Sequence, residues 1–310
     1  MNEYLKDLLA RMLDKSEFFD SSKSISWQAH REAEKLTDAS YIPQLMEFVD
    51  SEKDKGKRDA AYYILGQVAK NTNDITATKY LINRIDKETD KYVLSALLNR
   101  IRDLHKPKDT DIQPIINAIN NKDWQVKSSA IQALEHSNNP LAEDTLIDVL
   151  ENSGTSEFDL VYANATLANI GTKKSISCLT KLVTHKKTDV AGSALNAIIT
   201  ISDETCLSLC LEQLDKGKIK LVALEGVVKF GNENVIPNII KRIKELVAKK
   251  RTRETFLIVE KNWIPELVVG MEFLQKYSER EEVKNLFEFL LTKKYDLLWE
   301  QEKEWLNKNK

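Results

Sequence analysis

The stretch from Asp123 to Leu150, DWQVKSSAIQALEHSNNPLAEDTLIDVL, constrains the fold more than any other, because other segments of the chain are loose copies of it. It holds two helical patterns and one short break. The first sets Val126, Ala130, Ala133 and Leu134 on one stripe by three-and-four spacing, and the second does so with Leu146, Val149 and Leu150. Between them His136-Ser-Asn-Asn-Pro140 interrupts the helix.

The same helix-break-helix pattern runs along most of the chain. A first helix over Asn2 to Leu13 is expected to act as an N-terminal cap, ending at Ser21-Ser-Lys-Ser24. Repeat one has Trp27, Ala33 and Leu36, then Ile42, Leu45, Met46 and Val49. Repeat two has Ala60, Ala61, Ile64, Leu65 and Val68, then Leu81, Ile82 and Ile85. Repeat three runs from Val93 to Leu104, breaks at Lys106-Pro107, and resumes at Ile112. The stretch from Asp123 is repeat four.

Repeat five is expected to bury Val161, Ala165, Leu167, Ala168 and Ile170 and to end its first helix at Gly171. Repeats six and seven follow, with first helices around Ala194 and Ala223 and second helices around Leu207 and Ile236. Matching Ala61, Ala130, Ala194 and Ala223 gives a period of roughly 29 to 36 residues, the range of stacked helix pairs. Beyond Arg251 the period fades into helices expected at Thr255 to Val259, Pro265 to Tyr277, Glu281 to Thr292 and Tyr295 to Leu306. A solenoid needs an atypical last unit to cover its exposed apolar face, so this region reads as a C-terminal cap. The organisation predicted is residues 1–24 as N-terminal cap, 25–250 as repeats and 251–310 as C-terminal cap.

The totals agree with a helical protein and exclude several classes. Only nine glycines and six prolines are spread over 310 residues, few for a chain of many strand turns. The net charge of −2 removes the simplest case for non-specific binding to nucleic acid or membrane, leaving only local patches. The start interleaves Glu3, Lys6, Asp7, Arg11 and Asp14 with its apolar residues, unlike a signal peptide, and no stretch reaches the roughly 20 apolar residues of a membrane span. Three cysteines without a spaced framework suit a reducing, cytoplasmic setting.

These repeats resemble HEAT repeats, and more closely the short bacterial type named after phycobilisome lyases, whose first helix reads roughly D-x-x-V-R-x-x-A-x-x-A-L-x-x-I-G. Asp123, Val126, Lys127, Ala130, Ala133 and Leu134 match that run with Lys in place of Arg. Arg58, Ala61, Leu65, Gly66 and Val68 match it in repeat two, and Ala165, Leu167, Ala168, Ile170 and Gly171 in repeat five. The resemblance covers about residues 25–250 and implies an all-α superhelix of about seven helix pairs, with second helices lining a concave face that holds another protein.

No catalytic set emerges. Cys206 and Cys210 are one helical turn apart and Cys178 falls at the equivalent place in the preceding repeat, but no His or carboxylate is spaced to complete a metal site. Buried packing therefore explains them. The histidines His30, His105, His136 and His185 lie in different repeats and none is followed by Glu, which excludes the His-Glu iron site of deoxyhypusine hydroxylase. Bilin lyases share the repeat type, but nothing here singles out a tetrapyrrole pocket. HEAT-like alkylpurine DNA glycosylases use Trp and a carboxylate on a basic surface, and Asp123 beside Trp124 invites the comparison; Asp123 matches the repeat consensus, however, and capping of its own helix is the favoured account of it.

The second helices carry mixed polar residues, among them Gln44, Lys79, Asn83, Asn117, Asp148, Lys181, Glu212 and Lys241, which become the candidate partner-binding positions. One basic run stands apart: after Lys241 come Arg242, Lys244, Lys249, Lys250, Arg251 and Arg253, opposed only by Glu245. It suits an anionic partner, although cations near the carbonyl ends of helices are the favoured account and need no partner. The expectation is a non-enzymatic scaffold for a protein partner, with no cofactor or metal. Nucleic-acid binding or DNA glycosylase activity is the alternative.

Overall fold

A computed structural model of the chain describes residues 1–16, 21–251 and 264–309. Regular structure among them is helical, apart from one isolated bridge between Lys106 and Ser137. The chain divides into two compact units, Met1–Leu179 and Thr180–Lys310.

The first unit begins with α1 (Glu3–Met12) and continues as helix pairs: α2 (Ile25–Ala33) with α3 (Tyr41–Ser51), α4 (Lys55–Thr72) with α5 (Ile75–Arg84), α6 (Lys91–Arg102) with α7 (Gln113–Ile119), and α8 (Trp124–Ala133) with α9 (Pro140–Glu151). Then come α10 (Glu157–Ile170) and α11 (Ile176–Leu182), within which the division between the units falls. The starts of these helices are chemically marked. Asn2, Ser24, Asp54, Asp74, Asp90, Asp123, Asn139 and Ser156 each accept a backbone N–H of the first turn, satisfying donors that have no partner inside the helix.

First helices stack in order, α4 on α6, α6 on α8 and α8 on α10, and α3, α5 and α7 follow one another likewise. Ala61, Ala130 and Ala133 are fully buried at these contacts, with Leu97, Leu98 and Leu134 beside them in the core. The cationic position of the repeat pattern has a structural task. Arg58 grips the buried Glu88 with two hydrogen bonds of 3.0 and 2.8 Å, and Lys127 stands 3.1 Å from Asp159. Each cation thus reaches an acid about one repeat further on.

In repeat five the buried stripe differs from the sequence expectation. Leu160, Ala163, Asn164, Thr166 and Leu167 face inward, whereas Ala165 is exposed and Val161 only partly covered. Asn164 and Thr166 have no accessible surface, so two polar side chains occupy positions that a purely apolar stripe would give to Ala or Val. Gly171 does end α10, but in extended conformation (φ −68°) and not the left-handed one. A Cβ there would lie 2.5 Å from the Leu167 carbonyl oxygen, which is why glycine fits.

The breaks of repeats three and four meet. Lys106 donates its backbone N–H to His136 O at 3.0 Å, and Asn138 N–H returns to Lys106 O at 2.8 Å. His136 takes a left-handed conformation (φ 56°) to make this turn. The Lys106 side chain has no accessible surface, and its Nζ donates to Ile101 O and Leu104 O at 2.9 and 2.6 Å, closing the carbonyl end of α6. Burial lowers its pKa to about 7.

The second unit holds α12 (Thr188–Ile201) with α13 (Leu207–Lys216) and α14 (Lys220–Phe230) with α15 (Ile236–Leu246). Then follow α16 (Glu266–Gln275), α17 (Glu281–Lys293) and α18 (Glu300–Lys308). Ala194 and Ala223 are fully buried, as the repeat spacing predicts. Helix α16 packs on α14 and α15, and α18 on α16. The helix expected over Tyr295 to Leu306 is broken: a 3₁₀ turn at Tyr295–Leu297 and an extended Leu298 precede α18. The expected helix from Thr255 to Val259, with Arg253, Phe256 and Trp263, lies outside the described residues. Among the described residues no helix is long and apolar enough to cross a membrane.

Candidate interaction surface

In the first unit the predicted positions lie on α3, α5, α7 and α9. Lys79, Asn83, Asn117 and Asp148 are exposed. Lys79 faces Asp109 at 3.4 Å, a loose surface pair, and Asn117 accepts from Gln113 Nε2 at 2.9 Å one turn earlier. Gln44 is partly covered, because it accepts the Asn2 N–H at 2.8 Å and so ties α3 to the start of α1. Between α3 and α5 the Tyr80 hydroxyl donates to Met46 O and Asp50 at 2.9 Å each, and Arg84 reaches Asp50 at 3.0 Å. Tyr80, Arg84 and Asp50 therefore tie α3 to α5 without Lys79 or Asn83.

Asp148 borders a recess of about 370 Å³ beside α7 and α9, with Asn120, Asn121, Lys127, Thr145 and Asn152 also lining it. Only Asp148 of these was predicted. Thr145 shares α9 with Asp148, whereas Asn120, Asn121 and Asn152 follow helix ends and Lys127 sits on the first helix α8, where periodicity in the second helices could not have found them.

In the second unit Lys181, Glu212 and Lys241 are exposed on α11, α13 and α15. Lys241 pairs with Asp215, which raises its pKa. A recess of about 780 Å³ runs beside α15, with Pro237, Ile240 and Ala248 on its apolar lining and Lys241, Lys244, Glu245 and Glu282 as its charged groups.

The basic run separates into two kinds of residue. Arg242 is half-buried between Glu266, at 2.7 and 3.0 Å, and Glu245, at 3.1 Å. Burial works against its charge, but those hydrogen bonds outweigh it and raise its pKa. Arg251 makes hydrogen bonds of 2.8 and 2.6 Å to the fully buried Glu302 and lies 4.5 Å over the Trp299 ring. Lys244, Lys249 and Lys250 are exposed, and Arg253 lies outside the described residues.

Asp123 caps α8, accepting the Gln125 N–H at 3.0 Å, and holds Lys91 at 2.8 Å. Trp124 beside it is 70% exposed. The cysteines are all buried free thiols. In the second unit a Cβ on Gly226 would stand 2.5 Å from Cys210 Sγ, so that thiol fills the space a glycine leaves. Burial, with Cys206 as neighbour, pushes the Cys210 pKa up to about 12, and a neutral thiol is a poor ligand and nucleophile. Among the described residues no group of three His, Cys, Asp or Glu side chains is placed to hold a metal ion.

No family model and no curated protein matches the chain. Solved structures do. Kap121p bound to Nup53p aligns over 98% of this chain with a TM-score of 0.58 at 14% identity, and Kap121p bound to Pho4p over 98% with a TM-score of 0.59 at 13% identity. The karyopherin Kap121p bound to the extreme C-terminus of the protein phosphatase Cdc14p aligns over 93%, with a TM-score of 0.56 at 14% identity. The fold is a HEAT-like helical repeat. The chain spans about 40% of the length of the Kap121p chains in the Nup53p and Pho4p complexes.

Proposed function

We propose that the chain is a helical-repeat scaffold that binds a protein partner through the exposed ridge of its second helices. Supporting this reading is the division of labour among the polar residues. Arg58, Glu88, Asp123, Arg242 and Arg251 are buried or partly covered and hold helices together, whereas Lys79, Asn83, Asn117, Asp148, Lys181, Glu212 and Lys241 are exposed, Lys241 while also pairing with Asp215 of α13. A rigid array with variable outward positions is how solenoids recognise other proteins. Solved relatives in fold are complexes of Kap121p with Nup53p, Pho4p and Ste12p, which lends the reading precedent.

An adaptor, an assembly factor and an inhibitor or immunity protein all fit this scheme, as does descent from the short bacterial lyase-type repeats. Residues 1–24 and 251–310 are proposed as the caps of the array, and a reducing, cytoplasmic setting suits the free thiols. Reversing charge at Lys79, Lys181 and Lys241 together is the test. Loss of a co-purifying partner with unchanged helical circular dichroism supports the ridge, and retained binding rejects it.

A second reading, nucleic-acid binding, draws on the exposed Lys244, Lys249 and Lys250. Contact with duplex DNA that weakens steeply with added salt would favour it over the first.

A further inference from the structure

The first unit contains a second polar recess, away from the second-helix ridge. It measures about 440 Å³ and is built by α4, α6 and α8. Its charged lining is Lys70, Arg100, Arg102 and Asp103, and its neutral lining includes the amides Gln67, Asn99 and Gln132. Among those four charges three cations face one carboxylate, while Asp59 acts on Arg100 and Glu135 on Arg102 from outside the lining.

Three of the four charged groups already have partners. Asp103 holds Lys70 at 2.8 Å and Arg102 at 3.3 Å, and Arg102 also donates to Gln132 at 3.3 Å. Arg100 is different. Its Nε is buried with no hydrogen-bond partner, although a guanidinium carries five donors and is costly to leave unsatisfied. Its support is a ring: the guanidinium carbon lies 4.5 Å from the Tyr63 ring centroid. Asp59 acts on it only through space and does not line the recess.

That support is fixed in advance. The Tyr63 hydroxyl donates to Glu34 at 2.9 Å, and His30 packs edge-on against the ring with centroids 4.8 Å apart. Gly66 lets α4 and α6 approach, since a Cβ there would stand 3.1 Å from Arg100 Cβ. A planar cation is thus held on a prepared surface, inside a recess lined by amide and ammonium donors. A phosphate monoester, with a charge of about −1.5 to −2 and three strong acceptor oxygens, matches the three cations and the amide donors of this lining.

We propose that this recess is a binding site for a phosphate monoester, with the Arg100 guanidinium as its principal donor and Lys70 and Arg102 at its sides. The ester is carried either by a small molecule or by a phosphorylated side chain of a protein.

The test is a titration of the isotope-labelled full chain with inorganic phosphate, O-phosphoserine, a phosphoserine peptide and acetate, at ionic strength held constant with chloride, followed by NMR. Phosphate and phosphoserine are expected to move the side-chain amides of Gln67, Asn99 and Gln132 saturably, and acetate to bind at least about tenfold more weakly, lacking the second charge. A tighter peptide than amino acid marks a phosphoprotein as the source, and equal affinity marks a small ester. Arg100→Gln should abolish saturation and Arg100→Lys should weaken it by about tenfold, because an ammonium lacks the planar fork. Lys70→Gln, on the half-exposed rim, weakens binding without touching the Tyr63 platform. Non-saturating shifts, equal binding of acetate, or unchanged affinity in both Arg100→Lys and Lys70→Gln would overturn the assignment.

Discussion

Lys91 Nζ stands 2.8 Å from Asp123 Oδ2 and so joins the first turn of α6 to the N-cap of α8. The preceding repeat does the same, Lys55 meeting Asp90 at 2.6 Å. One carboxylate oxygen caps its own helix while the other reaches back to the helix before. Both oxygens of Asp123 are therefore in use for stacking, which accounts for its recurrence without a substrate.

Asp123→Asn should keep the cap but lose the ion pair, and Asp123→Ala should lose both. Thermal melts are expected to fall in the order wild type, Asn, Ala. The hydrogen bond from Lys91 holds the Asp123 carboxyl below its ordinary pKa. A depressed carboxylate contributes stability above its unfolded pKa, near 4, and loses it as pH falls through the folded value. The gap between wild type and Asp123→Asn should accordingly close on acidification below about pH 4.

Arg58 and Glu88 form the most deeply buried of these links in the first unit, with side chains 14% and 1% exposed. Burial pushes the Glu88 pKa up, but the hydrogen bonds from Arg58 and from backbone N–H groups outweigh it and leave it lowered. Arg58→Met strands a buried carboxylate and is expected to cost about 3–5 kcal/mol by urea denaturation. Arg58→Lys should recover part of that loss. The double variant Arg58→Met with Glu88→Gln should lose less than Arg58→Met alone, since no charge is then left buried.

Lys106 gives a pH dependence of the same sign in a higher window. Its pKa of about 7 in the fold lies below the usual lysine value of about 10.4 in the unfolded chain. Between those values the unfolded state binds the extra proton, so stability rises with pH across that window, approaching about 1.4 kcal/mol per pH unit, and is flat below it. A neutral amine has two N–H donors, and two carbonyls, Ile101 O and Leu104 O, are there to accept them. The difference in unfolding free energy between wild type and Lys106→Met, followed from pH 6 to 9, should favour wild type increasingly as pH rises.

The helix pairs were legible because their breaks carry Ser, Asn, Asp, Gly or Pro and their stripes carry Leu, Ile and Ala at helical spacing. The stripe of α10 was not, because burial there falls on Asn164 and Thr166 while the apolar Ala165 faces outward. Side chains of that size are too weakly apolar for periodicity to fix the face. The basic run read as one patch because its neutralising acids are remote in sequence: Glu266 takes Arg242, and Glu302 takes Arg251. The recess around Arg100 is drawn from three helices, and its decisive feature is a missing hydrogen bond, which no spacing reveals. The bridge between Lys106 and Ser137 joins two breaks that look independent along the chain.

Site-specific photo-crosslinking tests the scaffold reading most directly. A photoreactive residue at Asn83 or Asn117, on the exposed ridge of second helices, and one at the exposed Asn169 of the first helix α10, would be irradiated in the native host. The account predicts crosslinks to the same protein from Asn83 and Asn117 and none from Asn169. A protein captured from Asn169 alone, with the ridge positions silent, would contradict it.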